Sequence, residues 1–181
     1  MPAEQAGNPY QQPGNVEEEK FDAFDFAEEK DCLKKYDDAW CEKILGAPKW
    51  SDKKDMLTEL IADIDTPKIK PGDSNALVTA LKKLLTDSNI TVFHWSIKSV
   101  GYLAKGLWEN FREGAKTLVL QVLKKFAEKR TQINEDTKVA VQNILMSVPL
   151  IEVLESVVTS LADKNPNVIK YTAGFLDEGV R

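Results

Sequence analysis

At 181 residues, with 43% hydrophobic and 29% charged side chains, the chain has the size and balance of one well-filled soluble domain. It has no apolar run near the roughly 18 residues that cross a bilayer and no basic-then-apolar leader at its start, so a cytoplasmic protein with no membrane partner is expected. The net charge of −5 divides unevenly: residues 1–38 hold 11 acidic and 4 basic groups, leaving 18 acidic against 20 basic beyond them, a nearly neutral body that argues against nucleic acid but permits a local basic edge facing an acidic protein.

In chain order, residues 1–20 are rich in Pro, Gly, Gln, Asn and Glu and read as a disordered segment or linker. Phe21, Phe24 and Phe26 then stand among acids, either docking this extension onto the body or belonging to the linker. From Asp31 to Leu45, the residues Leu33, Tyr36, Trp40, Ile44 and Leu45 fall at helical spacing. Pro48 ends that helix; Lys49 and Trp50 are expected in a polar turn, with Ser51 or Asp52 capping the next helix. Met56, Leu57, Leu60, Ile61 and Ile64 make the partner stripe, which Asp65-Thr66-Pro67 stops.

A second pair runs through Leu77, Ala80, Leu81, Leu84 and Leu85. It breaks at Thr86-Asp87-Ser88-Asn89, residue types that turn or cap a backbone, and returns through Val92, Trp95, Ser96, Val100, Leu103 and Leu107. Gly101 and Gly106 in that return allow close approach or a helix end. The third pair is Leu118, Val119, Val122, Leu123 and Phe126, a turn at Glu128–Gln132, and Val141, Ile144, Leu145 and Val148. Pro149 opens the fourth, with Leu150, Val153, Leu154, Val157, Val158 and Leu161, a turn at Asp163–Asn167, and a last helix expected from Val168 with Tyr171, Thr172, Phe175 and Leu176.

No hairpin signal competes, so the fold class is all-α: an α-solenoid of about four stacked helical hairpins, at about 31–66, 73–108, 113–148 and 149–181. Steps of about 39, 41 and 35 residues from Trp50 to Asn89, Arg130 and Asn165 match the period of helical-hairpin repeats. Equivalent turns then line one narrow edge, with Trp50 as a broad aromatic anchor. Lys49, Lys129, Arg130 and Lys164 would be its charged donors, and Ser88, Asn89, Asn165 and Asn167 its neutral ones.

Catalytic signatures are few. One histidine, His94, supports neither a multi-histidine metal site nor a triad, and reads as a packing or surface residue. No phosphate-binding glycine loop occurs, so neither enzyme activity, nor a cofactor, nor a metal is expected. Cys32 and Cys41, nine residues apart in an expected helix, would lie about 13 Å apart and are read as free thiols.

Several motifs carry a resemblance. Trp40-Cys41-Glu42-Lys43-Ile44 followed by Pro48-Lys49-Trp50-Ser51-Asp52-Lys53-Lys54-Asp55-Met56-Leu57 resembles the first repeat of a TOG domain. Leu81-Lys82-Lys83-Leu84, Asp87-Ser88-Asn89-Ile90 and Leu103-Ala104-Lys105-Gly106-Leu107 are similar to the second. Lys125-Phe126-Ala127-Glu128-Lys129-Arg130 resembles the third, and Asp163-Lys164-Asn165-Pro166-Asn167-Val168 the fourth. The likeness covers about residues 21–181 and points to the second TOG domain of the microtubule polymerase family that includes mini spindles.

It implies a paddle of HEAT repeats whose intra-repeat turns bind the unpolymerised αβ-tubulin heterodimer. Trp50, Lys49, Ser88, Asn89, Lys129 and Arg130 would face β-tubulin, and Lys164 and Asn165 would approach the junction with α-tubulin. The resemblance also implies action at a microtubule plus end within a longer array, and a place on the cytoskeleton at microtubules, spindle, centrosome or spindle pole. This chain departs from the pattern in having Thr131 where proline often follows the basic pair, and about four repeats where the family has six, so it resembles a C-terminally incomplete TOG domain. The rival reading is a HEAT-type scaffold for another cytoskeletal, centrosomal or kinetochore protein.

Overall fold

The computed structural model describes residues 24–179; the linker expected over residues 1–20, and Phe21, lie outside the described residues. Eight α-helices are formed among them: α1 (Asp38–Gly46), α2 (Trp50–Ile64), α3 (Asn75–Leu84), α4 (Ile90–Leu107), α5 (Arg112–Leu123), α6 (Thr131–Ser147), α7 (Leu154–Leu161) and α8 (Pro166–Gly179). Consecutive helices pair as four hairpins. The first members α1, α3, α5 and α7 pack in sequence as one layer, while α2, α4 and α6 pack as the other. The last helix, α8, rests on α7 and on a 3-10 turn at Lys124–Ala127, where Tyr171 stacks on Phe126 at 4.7 Å.

One apolar core runs the length of the stack. Leu57, Leu60 and Ile64 of α2, Leu77, Leu81 and Leu84 of α3, and Val92, Ile97, Val100 and Leu103 of α4 are all buried. It continues through Leu118, Val119 and Val122 of α5, Ala140, Val141 and Ile144 of α6, Val157 of α7 and Val168 of α8. Most of the stripe residues read from helical spacing therefore face inward, each large buried aliphatic contributing about 1.5–3 kcal/mol, but Leu154 and Val158, read into the fourth stripe, do not. On the outer side of the fourth hairpin, Ile151, Leu154 and Val158 remain exposed.

Small residues set the α4–α6 seam. A Cβ on Gly101 would stand 3.3 Å from Ala140 Cα, so the two backbones meet at near-contact distance there. Two α6 side chains then reach α4 carbonyls: Asn143 Nδ2 donates to Gly101 O at 3.1 Å, and Ser147 Oγ to Ala104 O at 3.0 Å. On the other side of α4, Trp95 Nε1 donates to Thr58 Oγ1 of α2 at 3.0 Å. His94, read from sequence only as packing or surface, ties α4 to α6 through Asp136, 2.6 Å away.

Several local boundaries differ from the expectation. The stretch 31–45 is not one helix: Leu33–Lys35 forms a 3-10 turn, and α1 starts only after Asp37, whose carboxylate accepts the Trp40 N–H at 3.0 Å. An available cap therefore overrides the apolar spacing of Leu33 and Tyr36. Cys32 and Cys41 consequently do not share a helix; both are buried free thiols. The last helix begins at Pro166, two residues before Val168, because proline's fixed φ suits a first helical position.

The segment before α1 docks at the loops between hairpins. Lys30 N–H donates to Lys68 O at 3.1 Å, Lys70 N–H to Lys30 O at 3.0 Å, and Ile69 N–H to Gly106 O at 2.8 Å. Phe24 packs against Trp108 with ring centroids 5.6 Å apart and the Lys68 ammonium 5.1 Å from its own ring, whereas Phe26 is exposed. Of the two readings of these aromatics, docking thus holds for Phe24. Trp108 itself has φ 51°, a left-handed conformation unusual for a side-chain-bearing residue, at the end of α4.

Candidate functional site: the edge of intra-repeat turns

Each of the four turns within hairpins precedes the N-terminus of its hairpin's second helix, whereas the Phe24 segment docks at the loops between hairpins. The register of the turns is set by the helix starts. The residues that immediately precede α2, α4, α6 and α8 are Lys49, Asn89, Arg130 and Asn165, in steps of 40, 41 and 35. Trp50 is therefore not in the turn, as the sequence suggested, but is the first residue of α2, one position after Lys49. The expected caps Ser51 and Asp52 lie inside the helix. α1 ends at Gly46, two residues before Pro48, and the backbone of Lys49 is already extended at φ −105°, ψ 135°.

The turns fall into two chemical kinds. In the second and fourth, an Asp-x-Asn sequence closes the backbone the same way. Asp87 Oδ1 accepts the Asn89 N–H at 2.8 Å, and Asn89 Oδ1 accepts the Thr91 and Val92 N–H groups at 2.9 and 3.3 Å. Asp163 Oδ1 accepts the Asn165 N–H at 2.8 Å, and Asn165 Oδ1 the Asn167 N–H at 2.9 Å. The side-chain oxygens of Asn89 and Asn165 are thus committed to capping, and Ser88 and Lys164 protrude, exposed, from the position before them.

The first and third turns carry a cation where the others carry asparagine. Neither Lys49 nor Arg130 makes a side-chain cap bond, and both are exposed, as are Lys129 and the 52% exposed Trp50. A positive charge at a helix N-terminus meets the positive end of the helix dipole and leaves orphan N–H groups that Asn or Asp would satisfy, a loss of about 1 kcal/mol. The chain accepts this at two of four equivalent positions. The third turn is closed instead from inside α6, where Asn134 Nδ2 donates to Glu128 O at 2.9 Å, so Thr131 serves there as the first helical residue.

The cations of this edge are unpaired among the described residues, as are others away from it such as Lys82, Lys83 and Lys105. Lys30, Lys34, Lys35, Lys53, Lys68, Lys70, Lys116 and Lys138 each lie within 4.0 Å of a carboxylate, whereas Lys49, Lys129, Arg130 and Lys164 have no such partner among the described residues. Two contacts that sequence reading missed hold the turns in line. Lys53 Nζ of α2 reaches Asp87 Oδ2 of the second turn at 2.8 Å, and Lys125 Nζ, from the 3-10 turn that leads into the third turn, lies 4.2 Å from the Phe93 ring centroid of α4. Burial pulls the Lys125 ammonium below its ordinary pKa. For Asp87, burial raises the carboxyl, but the bond from Lys53 and the Asn89 N–H outweigh it and hold it below the usual range.

This arrangement offers binding chemistry: an exposed indole and exposed, unpaired cations at equivalent turns of successive hairpins. Among the described residues no group of three or more His, Cys, Asp or Glu is placed to hold a metal, and no helix is long and apolar enough to cross a membrane. Four stacked hairpins with their turns on one edge define the class, a HEAT-type α-solenoid.

No family model matches the chain. It is 36% identical over 165 residues to the protein mini spindles of Drosophila melanogaster, a match covering 90% of this chain. It is 32% identical over 148 residues, 81% of the chain, to the spindle pole body component alp14 of Schizosaccharomyces pombe. The chain spans 8% and 18% of those proteins. A solved structure from work on microtubule plus end tracking by XMAP215, CLIP-170 and EB1 matches with TM-score 0.77 and 34% identity, over 87% of this chain and 66% of that one. Another, from work on tubulin recruitment by microtubule polymerases with TOG domain arrays, matches with TM-score 0.76 at 21% identity, over 98% of this chain and 38% of that one, a likeness of fold. The chain belongs to the TOG-domain family of mini spindles and its relatives.

Proposed function

We propose that the chain binds the unpolymerised αβ-tubulin heterodimer through its edge of intra-repeat turns, as one module of a microtubule polymerase or plus-end regulator. The observation that carries this reading is the half-exposed Trp50 set in register with Lys49, Lys129, Arg130 and Lys164, all without an acid partner among the described residues. The indole supplies broad apolar area, and the cations steer and orient an acidic partner, speeding encounter more than tightening the complex. Ser88 and the amide nitrogens of Asn89 and Asn165 add neutral donors beside it. Membership in a family with mini spindles, and the 34% identical structure studied for plus end tracking, support this partner and a working place at microtubule ends and the spindle.

Retaining soluble dimers near a growing end requires several modules or a lattice anchor, which raises the effective concentration. The test is co-elution of the chain with unpolymerised tubulin at low salt. Trp50→Ala is expected to weaken binding by about 2 kcal/mol, some thirtyfold. Co-elution unchanged by the substitution would remove the anchor and with it this reading.

A further inference from the structure

The segment before α1 lies on the loops between hairpins as a peptide ligand would. Ala27 N–H closes a turn onto Phe24 O at 3.3 Å, and the Phe24 ring packs on Trp108 with the Lys68 ammonium on it. Further along, Lys30 pairs with Ile69 in a parallel β-bridge, its N–H donating to Lys68 O and its carbonyl accepting the Lys70 N–H. Side chains alternate along a strand, so the residues flanking that bridge share one face. There Glu29 meets Lys68 and Asp31 meets Lys70, each at 3.5 Å, while Lys30 turns the other way, to Asp63 at 3.7 Å. The receiving edge has its own anchor, because Ile69 is buried and its N–H is held by Gly106 O at 2.8 Å.

The segment is held lightly. Of residues 24–31 only Phe24 and Ala27 are half-buried and the rest are exposed, and Asp31 keeps a second partner, Lys34 at 2.9 Å, apart from Lys70. The cost of ordering this stretch is set against one aromatic contact, two backbone bonds to the edge and ion pairs open to water, which puts it at the low-stability end of the fold. We infer that Trp108 and the Lys68–Lys70 edge form a docking groove for a segment of a partner protein, and that the chain's own residues 24–31 fill this groove reversibly and are displaced by it. The resident segment defines the chemistry of that partner: an aromatic residue for Trp108, carboxylates five and seven residues further on for Lys68 and Lys70, and a strand between them that adds to the edge through its backbone. The groove is independent of the turns within hairpins and of Trp50.

The probe is a fluorescein-labelled peptide of residues 24–31, Phe-Asp-Phe-Ala-Glu-Glu-Lys-Asp, read by fluorescence anisotropy against the full chain. In the unaltered chain the resident segment competes with it. Phe24→Ala loosens that segment and leaves the groove intact, so saturable binding at least tenfold tighter than to the unaltered chain is expected. A peptide in which Glu29 and Lys30 are exchanged keeps its composition and charge but turns the carboxylate away from Lys68, and it is expected to bind at least tenfold more weakly, as is one whose first phenylalanine is serine. These peptide changes leave the fold of the chain untouched. Lys68→Gln with Lys70→Gln, made in the Phe24→Ala chain and checked for folding by circular dichroism, is expected to weaken binding to the same extent, and Trp50→Ala to leave it unchanged. No saturable binding to the Phe24→Ala chain, equal affinity for the chain with and without Phe24→Ala, equal affinity for the exchanged peptide, full binding by the folded double-lysine variant, or loss of binding in Trp50→Ala would each overturn the inference.

Discussion

Asp87 ties the binding edge together, and its removal is a quantitative test of how the turns are held. One carboxylate oxygen accepts Lys53 Nζ at 2.8 Å, and the other accepts the Asn89 N–H at 2.8 Å. The pair is largely buried, with the Lys53 and Asp87 side chains 19% and 15% exposed. Asp87→Ala therefore strands an ammonium in a partly desolvated site and frees the backbone N–H of the residue that caps α4. Breaking a fully buried pair costs about 3–5 kcal/mol; the residual solvent access here reduces that to about 2 kcal/mol, and the lost N–H acceptor adds about 1. Urea denaturation should show a loss of about 3 kcal/mol, or a fall in melting temperature of about 6–12 °C.

The companion double variant, Lys53→Met with Asp87→Ala, should recover at least 1 kcal/mol of that loss, because it removes the stranded charge. Stability should also respond to pH in a definite direction. Asp87 is held below its ordinary pKa of 3.8, so its contribution is complete above that value and is lost as pH falls through the lower, folded-state pKa. In Asp87→Ala this part of the acid sensitivity should vanish. A destabilisation under 0.5 kcal/mol, or no recovery in the double variant, would refute the reasoning that this bridge fixes the first two turns.

Two further substitutions probe the edge and the seam. Lys49→Asn supplies the cap that α2 lacks and should raise stability by about 0.5–1 kcal/mol while weakening tubulin co-elution; a variant both more stable and equally tight would deny Lys49 a binding role. Gly101→Val forces a branched side chain into the 3.3 Å gap to Ala140, and a loss of about 1–3 kcal/mol in chemical denaturation is expected, with unchanged stability contradicting the close approach of α4 and α6.

The helices and their pairing were legible because each records itself locally. The spacing of Leu77, Leu81 and Leu84, or of Leu118, Val119 and Val122, is a property of one helical turn, and those residues are buried as the spacing requires. The breaks at Asp87-Ser88-Asn89 and Asp163-Lys164-Asn165 were equally legible, since these side chains bond their own backbone two residues on. Boundaries were less so. Asp37 outcompeted the apolar spacing around Leu33, and Trp50 fell inside α2 because Lys49, not Ser51 or Asp52, took the capping position.

By itself the sequence determined an all-α solenoid of four hairpins and the four places where its turns fall, because helix propensity, apolar period and turn chemistry act within a few residues. Tertiary structure alone decided which side chains meet across hairpins. Lys53 with Asp87, His94 with Asp136 and Lys125 with Phe93 are separated by 34, 42 and 32 residues. Their meeting depends on the rotation and rise of each helix against the next, which no local pattern encodes. The same packing repeats the turn at equivalent positions of successive hairpins, where Trp50 and the cations Lys49, Lys129, Arg130 and Lys164 are left exposed.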